Sequence, residues 1–127
     1  MLYAILCYDR EDVIGSWTKE EDEATMLRLQ AVQKELAAEG RLGPVVRLLP
    51  TTAAATLRKG KEALVIDGPF AETKEQLLGF YIVNCASLDE ALDIARRLAK
   101  ANSLALGSYE VRPLSFFDAG DAHAIAT

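Results

Sequence analysis

Two runs carry an apolar or aromatic side chain at every position, "LYAILC" from Leu2 and "FYIV" from Phe80. This constrains the fold more than any other feature of the chain. A strand with one face in water alternates apolar and polar residues, because successive side chains point to opposite faces. These two strands need cover on both faces. Helices packed on one face leave the other to something else. The simplest cover is an identical sheet from a second subunit, so the pattern predicts a two-fold dimer whose sheets face each other.

Between and around these runs the chain spells out its other elements. Leu2–Tyr8 reads as a strand bounded by "DRED". Thr18-Lys-Glu-Glu21 is a capping box, in which the threonine hydroxyl and the glutamate each satisfy an orphan amide of a helix N-terminus. Thr25, Leu29, Val32 and Leu36 then recur at helical spacing up to a stop at Gly40. "PVVRLLP" (Pro44–Pro50) reads as a strand, and "AATLRKGKEALVID" as a hairpin turning at Gly60. A second capping box, Thr73-Lys-Glu-Gln76, predicts one helical turn ended by Gly79. "GFYIVNC" (Gly79–Cys85) is a further strand. Ser87-Leu-Asp-Glu90 opens a helix whose apolar stripe is Leu88, Ala91, Leu92, Ala95 and Leu98. "SYEVRPL" (Ser108–Leu114) alternates as the last strand. The order is β-α-β-(hairpin)-β-α-β, an α+β, ferredoxin-like split βαβ with an added hairpin. Residues 1–114 form the domain, and 115–127 a tail without usable period. Phe116 and Phe117 are apolar enough for that tail to drape over the dimer.

Composition closes off several functions. The 127 residues include 14 basic and 19 acidic side chains, for a net charge of −5. That balance speaks against nucleic-acid and anionic-membrane partners, which need a basic surface. No apolar stretch reaches the roughly 20 residues of a bilayer span. The N-terminus has no basic segment, so the expected compartment is the cytoplasm. Cys7 and Cys85 have neither metal-ligand nor redox spacing, and the topology puts them at opposite ends of neighbouring strands as free thiols. His123 is the only histidine and lies in the tail, so it cannot build a zinc site with another. No nucleotide-binding or nucleophile-elbow motif occurs, and no cofactor or metal is expected.

"LVIDGPFAETKEQLLGFYIVNCASLDEALDIARRLA" followed by "YEVRPL" resembles the DGPF proteins, a branch of the YCII-related family. The resemblance runs from about Met1 to Leu114. Its most specific parts are Asp67-Gly68-Pro69-Phe70, "KEQLLGFYIV" and Glu110-Val111-Arg112-Pro113. It implies a dimeric α+β barrel of ferredoxin-like subunits. It also implies a His–Asp pair in a pocket, with lyase-like chemistry in some relatives and an association with alternative sigma factors in others. The aspartate of that pair matches Asp67. The histidine position falls near Leu29, where this chain has "MLRLQ".

The candidate site is therefore Asp67, as a general base or ligand acceptor. Gly68 would allow close approach of a ligand, Phe70 would form an apolar wall, and Arg112 would reach from the last strand to a carboxylate. Each also has a plainer role: turn geometry for Asp67 and Gly68, packing for Phe70, an edge charge for Arg112. For Asp67 the plainer role predicts that its carboxylate bonds the amides of its own turn. Tyr3, Tyr8, Trp17, Phe80 and Tyr81 are candidates for a cavity wall or for ordinary core. The leading reading is a small dimeric protein that binds a small apolar molecule or is accessory to transcription regulation. Its rivals are a lyase- or hydrolase-like enzyme with Asp67 as base, and a module that contacts a sigma factor.

Overall fold

A computed structural model describes residues 1–121. His123 and the rest of the tail lie outside the described residues. Four strands form an antiparallel sheet in the order β2-β5-β1-β6, from β1 (Leu2–Asp9), β2 (Leu42–Arg47), β5 (Gln76–Asn84) and β6 (Ser108–Pro113). The two strands with unbroken apolar runs, β1 and β5, are the central pair, as their two-sided patterning requires. The split βαβ order expected from the sequence is the observed one. The strand expected over Pro44–Pro50 is shifted to Leu42–Arg47, so Pro44 falls inside β2, at a register break between Leu42 and Val45. It is tolerated because β2 is an edge strand, where a missing N–H costs no ladder bond.

The barrel expected from the resemblance is not formed. The four-stranded sheet is open, with β2 and β6 as its two edges, and the hairpin of β3 (Ala55–Arg58) and β4 (Leu64–Asp67) is a separate two-stranded sheet. Closure needs the last strand to pair with the first, and here no ladder joins β6 to β2.

Helices α2 (Lys19–Ala38) and α3 (Leu88–Ala101) both pack on one face of the sheet. There Tyr3 and Ile5 of β1 and Tyr81 and Val83 of β5 meet Leu29 and Leu36 of α2 and Ala91, Ile94, Ala95 and Leu98 of α3. Three of the four residues expected to face inward from α2 are buried, and Val32 packs against the cluster. In α3 the buried stripe includes Ile94 and leaves Leu88 exposed. Positions 91, 94, 95 and 98 share a face, whereas Leu88 lies in the first turn and projects beyond it. Arg97 bridges Glu35 and Glu39 at 3.0 Å each, and Arg41 meets Glu90 at 2.9 Å, tying the outer surfaces of the helices together.

The Thr18 capping box is complete, with Glu21 N–H donating to the threonine hydroxyl at 3.1 Å and Thr18 N–H donating to Glu21 at 2.9 Å. Thr18→Ala is expected to cost about 0.5–2 kcal/mol in urea denaturation; no change would show that α2 is held by packing alone. At Ser87 only half of the box forms, because Glu90 accepts from the Ala86 amide instead. The Thr73 box forms no helix. The Thr73 hydroxyl donates to the Glu75 carbonyl at 2.5 Å, and Gln76 already begins β5. Pairing of Gln76 with Asp9 in the ladder outweighs one isolated helical turn. Conversely, "DRED" does more than end β1: Glu11–Gly15 forms a short helix, α1.

On the sheet face opposite the helices lie Leu2, Ala4, Leu6, Phe80, Ile82 and Arg112, the residues that alternate with the core positions. Leu2, Leu6 and Phe80 are only half-buried. The hairpin is barer still, exposing Leu57, Leu64, Val65 and Ile66.

Candidate functional site

The residues of the Asp-Gly-Pro-Phe segment sit where β4 leaves the hairpin. Asp67 is exposed, and its carboxylate makes no hydrogen bond or ion pair among the described residues. The turn is held from β3 instead: Gly68 N–H donates to the Ala54 carbonyl at 2.7 Å, and the Thr56 hydroxyl donates to the Gly68 carbonyl at 2.8 Å. Backbone bonds thus do the work expected of the aspartate side chain. Gly68 has φ of +95°, a conformation that favours glycine. Phe70 is 81% exposed. Arg112 is on β6 beside Ala4, on the open sheet face. Gly68 and Pro69 border a cleft of about 420 Å³ with Glu11, Asp12, Thr51 and Glu72, and Asp67 and Phe70 do not line it. There Glu11 accepts hydrogen bonds from the Thr51 hydroxyl and, at 2.7 Å, from the Thr51 amide. Asp67, Phe70 and Arg112 do not line this cleft.

A second, more apolar cavity of about 230 Å³ opens between the sheet and α3. Its wall is built from the ends of three elements. β1 supplies Cys7 and Asp9, α3 supplies Leu92, Ala95 and Ala99, and the α3–β6 connection supplies Asn102, Ala105 and Gly107 before Tyr109. Strand alternation puts Asp9 on the same side as Tyr3, Ile5 and Cys7, which is why an acid so close to the surface turns inward. It is 5% exposed. One of its carboxylate oxygens accepts from the Arg10 amide at 2.7 Å, and the other, Oδ2, is buried with no donor. Asn102 is in a similar state. Its amide donates to the Tyr109 hydroxyl at 3.5 Å, while its Oδ1 is buried and unmet. These two atoms are the only buried side-chain polar atoms without a partner among the described residues.

Leaving such an acceptor bare costs about 1–3 kcal/mol, so each calls for an explanation. The fold closes tightly around them nonetheless. Arg28 of α2 donates to the Ala101 carbonyl at 3.0 Å, fixing the end of α3 next to Asn102. At Gly107 a β-carbon would overlap the Tyr8 carbonyl oxygen and stand 2.8 Å from Cβ and Cγ of Asp9. Only glycine lets the connection lie this close against the acid.

Burial pushes the Cys7 thiol up to about 12 and raises the Tyr109 phenol. Cys7 is thus a protonated wall and no nucleophile. Both cysteines are free, Cys7 opposite Gly79 and Cys85 bonded through its amide to the Met1 carbonyl, at opposite ends of the β1–β5 pair. Iodoacetamide at pH 8 is expected to label Cys7 in the native protein roughly a hundredfold more slowly than in the denatured chain. Equal rates by mass spectrometry would mean that the thiol is not desolvated.

No group of histidine, cysteine, aspartate and glutamate among the described residues is arranged to hold a metal ion, and no helix there is long and apolar enough to cross a membrane. Leu29, the position where the resemblance called for histidine, is buried in the core.

Comparison with known proteins agrees on the family. The YCII-related domain matches residues 1–118. An uncharacterized protein of Rhizobium meliloti (strain 1021), R00369, is 62% identical over 122 residues, covering 95% of this chain and 98% of that protein. A match over nearly the whole length, on a chain folded as an open split βαβ sheet with two helices on one face, makes this protein a member of the YCII-related family.

Proposed function

We propose that this protein binds a small molecule in the cavity between its sheet and α3, with Asp9 and Asn102 as the polar contacts. The observation that carries the reading is a largely apolar cavity whose wall includes Asp9 and Asn102, each with one buried oxygen that no donor meets among the described residues. Convergent polar groups in an apolar hollow are the usual signature of a ligand site. The volume exceeds the roughly 150 Å³ that accommodates a benzene ring and falls below the ~300 Å³ at which drug-sized sites begin. The ligand is therefore small. We place the polar contact at Asp9 and not at Asp67 because Asp9 is buried beside an apolar cavity whereas Asp67 is exposed. Gly68 keeps its place in the turn beside the polar cleft. The four residues Asp67 to Phe70 support placing the chain in the DGPF branch.

Titrating the isotope-labelled protein with small aromatic fragments tests the reading. Amide shifts are expected to concentrate at Cys7, Ala95, Asn102 and Tyr109. Shifts confined to the hairpin or the open sheet face, or none at all, would refute it.

We also propose that a second copy of the chain covers the open sheet face. Half-buried Leu2, Leu6 and Phe80 and the bare hairpin support this, since a lone two-stranded hairpin is marginal in water. A dimer is expected in sedimentation equilibrium at micromolar concentration, and a stable monomer would rule it out.

A further inference from the structure

The chemistry of the wall goes beyond "small and apolar". Resting on the reading of this cavity as the ligand site, we infer that its ligand is a protonated amine on a short apolar body. Asp9 and Asn102 both belong to the cavity wall. Asp9 Oδ2 and Asn102 Oδ1 are both acceptors, and both are bare. The Tyr109 hydroxyl accepts one weak bond from Asn102 and keeps a second lone pair beside its own O–H. A ligand that satisfies this set must bring donors. A primary ammonium has three, directed tetrahedrally and with no acceptor to clash, whereas a hydroxyl has one.

Charge sharpens the choice. Asp9 is 5% exposed and forms no ion pair with a cationic side chain among the described residues. Arg10 contributes only its backbone amide, while its guanidinium is taken by Asp12 at 2.6 Å. Arg96 also borders the cavity, but its guanidinium is held by Asp93 at 2.6 Å on the exposed side of α3. A buried carboxylate without a cation is costly, and a cationic ligand removes that cost. Carboxylate ligands are disfavoured by the same charge. Of the other polar side chains in the wall, the Cys7 thiol donates to the Ile5 carbonyl at 3.7 Å and the Tyr8 hydroxyl to Glu110 at 3.5 Å, while Leu78, Leu92, Ala95, Ala99 and Ala105 fit a plain hydrocarbon body.

Three near-isosteric probes separate the possibilities: benzylamine, benzyl alcohol and toluene, titrated calorimetrically into the full-length protein at pH 7. Benzylamine is expected to bind at least tenfold more tightly than benzyl alcohol, and toluene most weakly. In Asp9→Asn, whose amide oxygen can still accept from the Arg10 N–H, benzylamine should lose its advantage and fall to within about twofold of the alcohol. Benzyl alcohol binding as tightly as benzylamine to the wild type would overturn the amine assignment while leaving the cavity as a site. Amine preference that survives in Asp9→Asn would also overturn it, because the carboxylate would not be its source. Failure of all three probes, with no amide shifts at Cys7, Ala95, Asn102 or Tyr109, would bring down the cavity reading itself. The wild-type comparison alone decides the matter should Asp9→Asn fail to fold.

Discussion

Gly107→Ala is expected to destabilise the protein by about 3 kcal/mol or more. Overpacking of a well-filled interior costs roughly 1–3 kcal/mol when side chains can shift. Here the obstacle is backbone. The new β-carbon would overlap the Tyr8 carbonyl oxygen, which is fixed in the central strand, and press on Asp9 Cβ and Cγ at 2.8 Å. Relief requires lifting the connection between α3 and β6, and that connection carries Asn102, Ala105 and Gly107 of the cavity wall. The same change should therefore weaken fragment binding as well as stability. Gly60→Ala is the control. Nothing stands within 4 Å of a β-carbon there, and the change should stay within about 0.5 kcal/mol of wild type. Urea denaturation of the two variants compares them directly. A loss below about 1 kcal/mol for Gly107→Ala would mean that the connection has slack, and that the cavity is not rigidly walled on that side.

The position of Gly107 also shows where sequence reasoning stops. The central strands, the two long helices and the hairpin were legible because each is written in a local code: unbroken apolar runs, helical spacing, a capping threonine, a glycine at the turn. That code has limits even for local structure. Thr73-Lys-Glu-Gln76 differs from Thr18-Lys-Glu-Glu21 only in glutamine for glutamate at its last position, and it lies next to a strand whose ladder claims Gln76. Barrel closure is a statement about strands far apart in the chain, and no local pattern records that β6 and β2 stay apart as edges.

The site was less legible than the fold. Asp67 drew attention because it stands in a recognisable quartet, and it proves to be an exposed strand-end residue. Asp9 stands in "YDRED", which reads as an acidic stop. One signal pointed to it nonetheless. Counting in twos from Tyr3 through Ile5 and Cys7 places Asp9 on the helix-covered face. Asn102 and Gly107 had no signal of their own. Their roles depend on Arg28 fixing the end of α3 and on β6 returning beside β1, contacts that join residues about seventy to a hundred positions apart. Sequence patterns report periodicity within an element; they do not report which ends of which elements converge.

Above pH 9 the protein is expected to lose stability steeply, and the cause lies in the same region. Cys7 and Tyr109 face each other across β1 and β6, and Tyr81 senses the charge of both. Burial raises all three, with Cys7 and Tyr81 each pushed to about 12. In the unfolded chain the thiol gives up its proton near its ordinary value of 9.0 and the phenols near 10.0. The folded protein holds those protons longer. Its stability from these groups is complete below pH 9 and drains away as the pH climbs above the unfolded values toward the raised folded ones. Each group that is deprotonated unfolded and protonated folded contributes a slope of about −1.4 kcal/mol per pH unit. Between pH 9 and 10 the thiols dominate, with Cys85 also raised by burial and the nearby Glu90 carboxylate. The tyrosines join above pH 10. Urea midpoints at pH 7, 9, 10 and 11 should therefore fall along a curve that steepens in two stages. Cys7→Val keeps an apolar side chain in the cavity wall and removes one titrating group. Its curve should be shallower than wild type by up to about 1.4 kcal/mol per unit once the unfolded thiol has ionised. Parallel curves for the two proteins would show that the Cys7 thiol ionises as freely folded as unfolded, and that the cavity beside Asp9 is open to water.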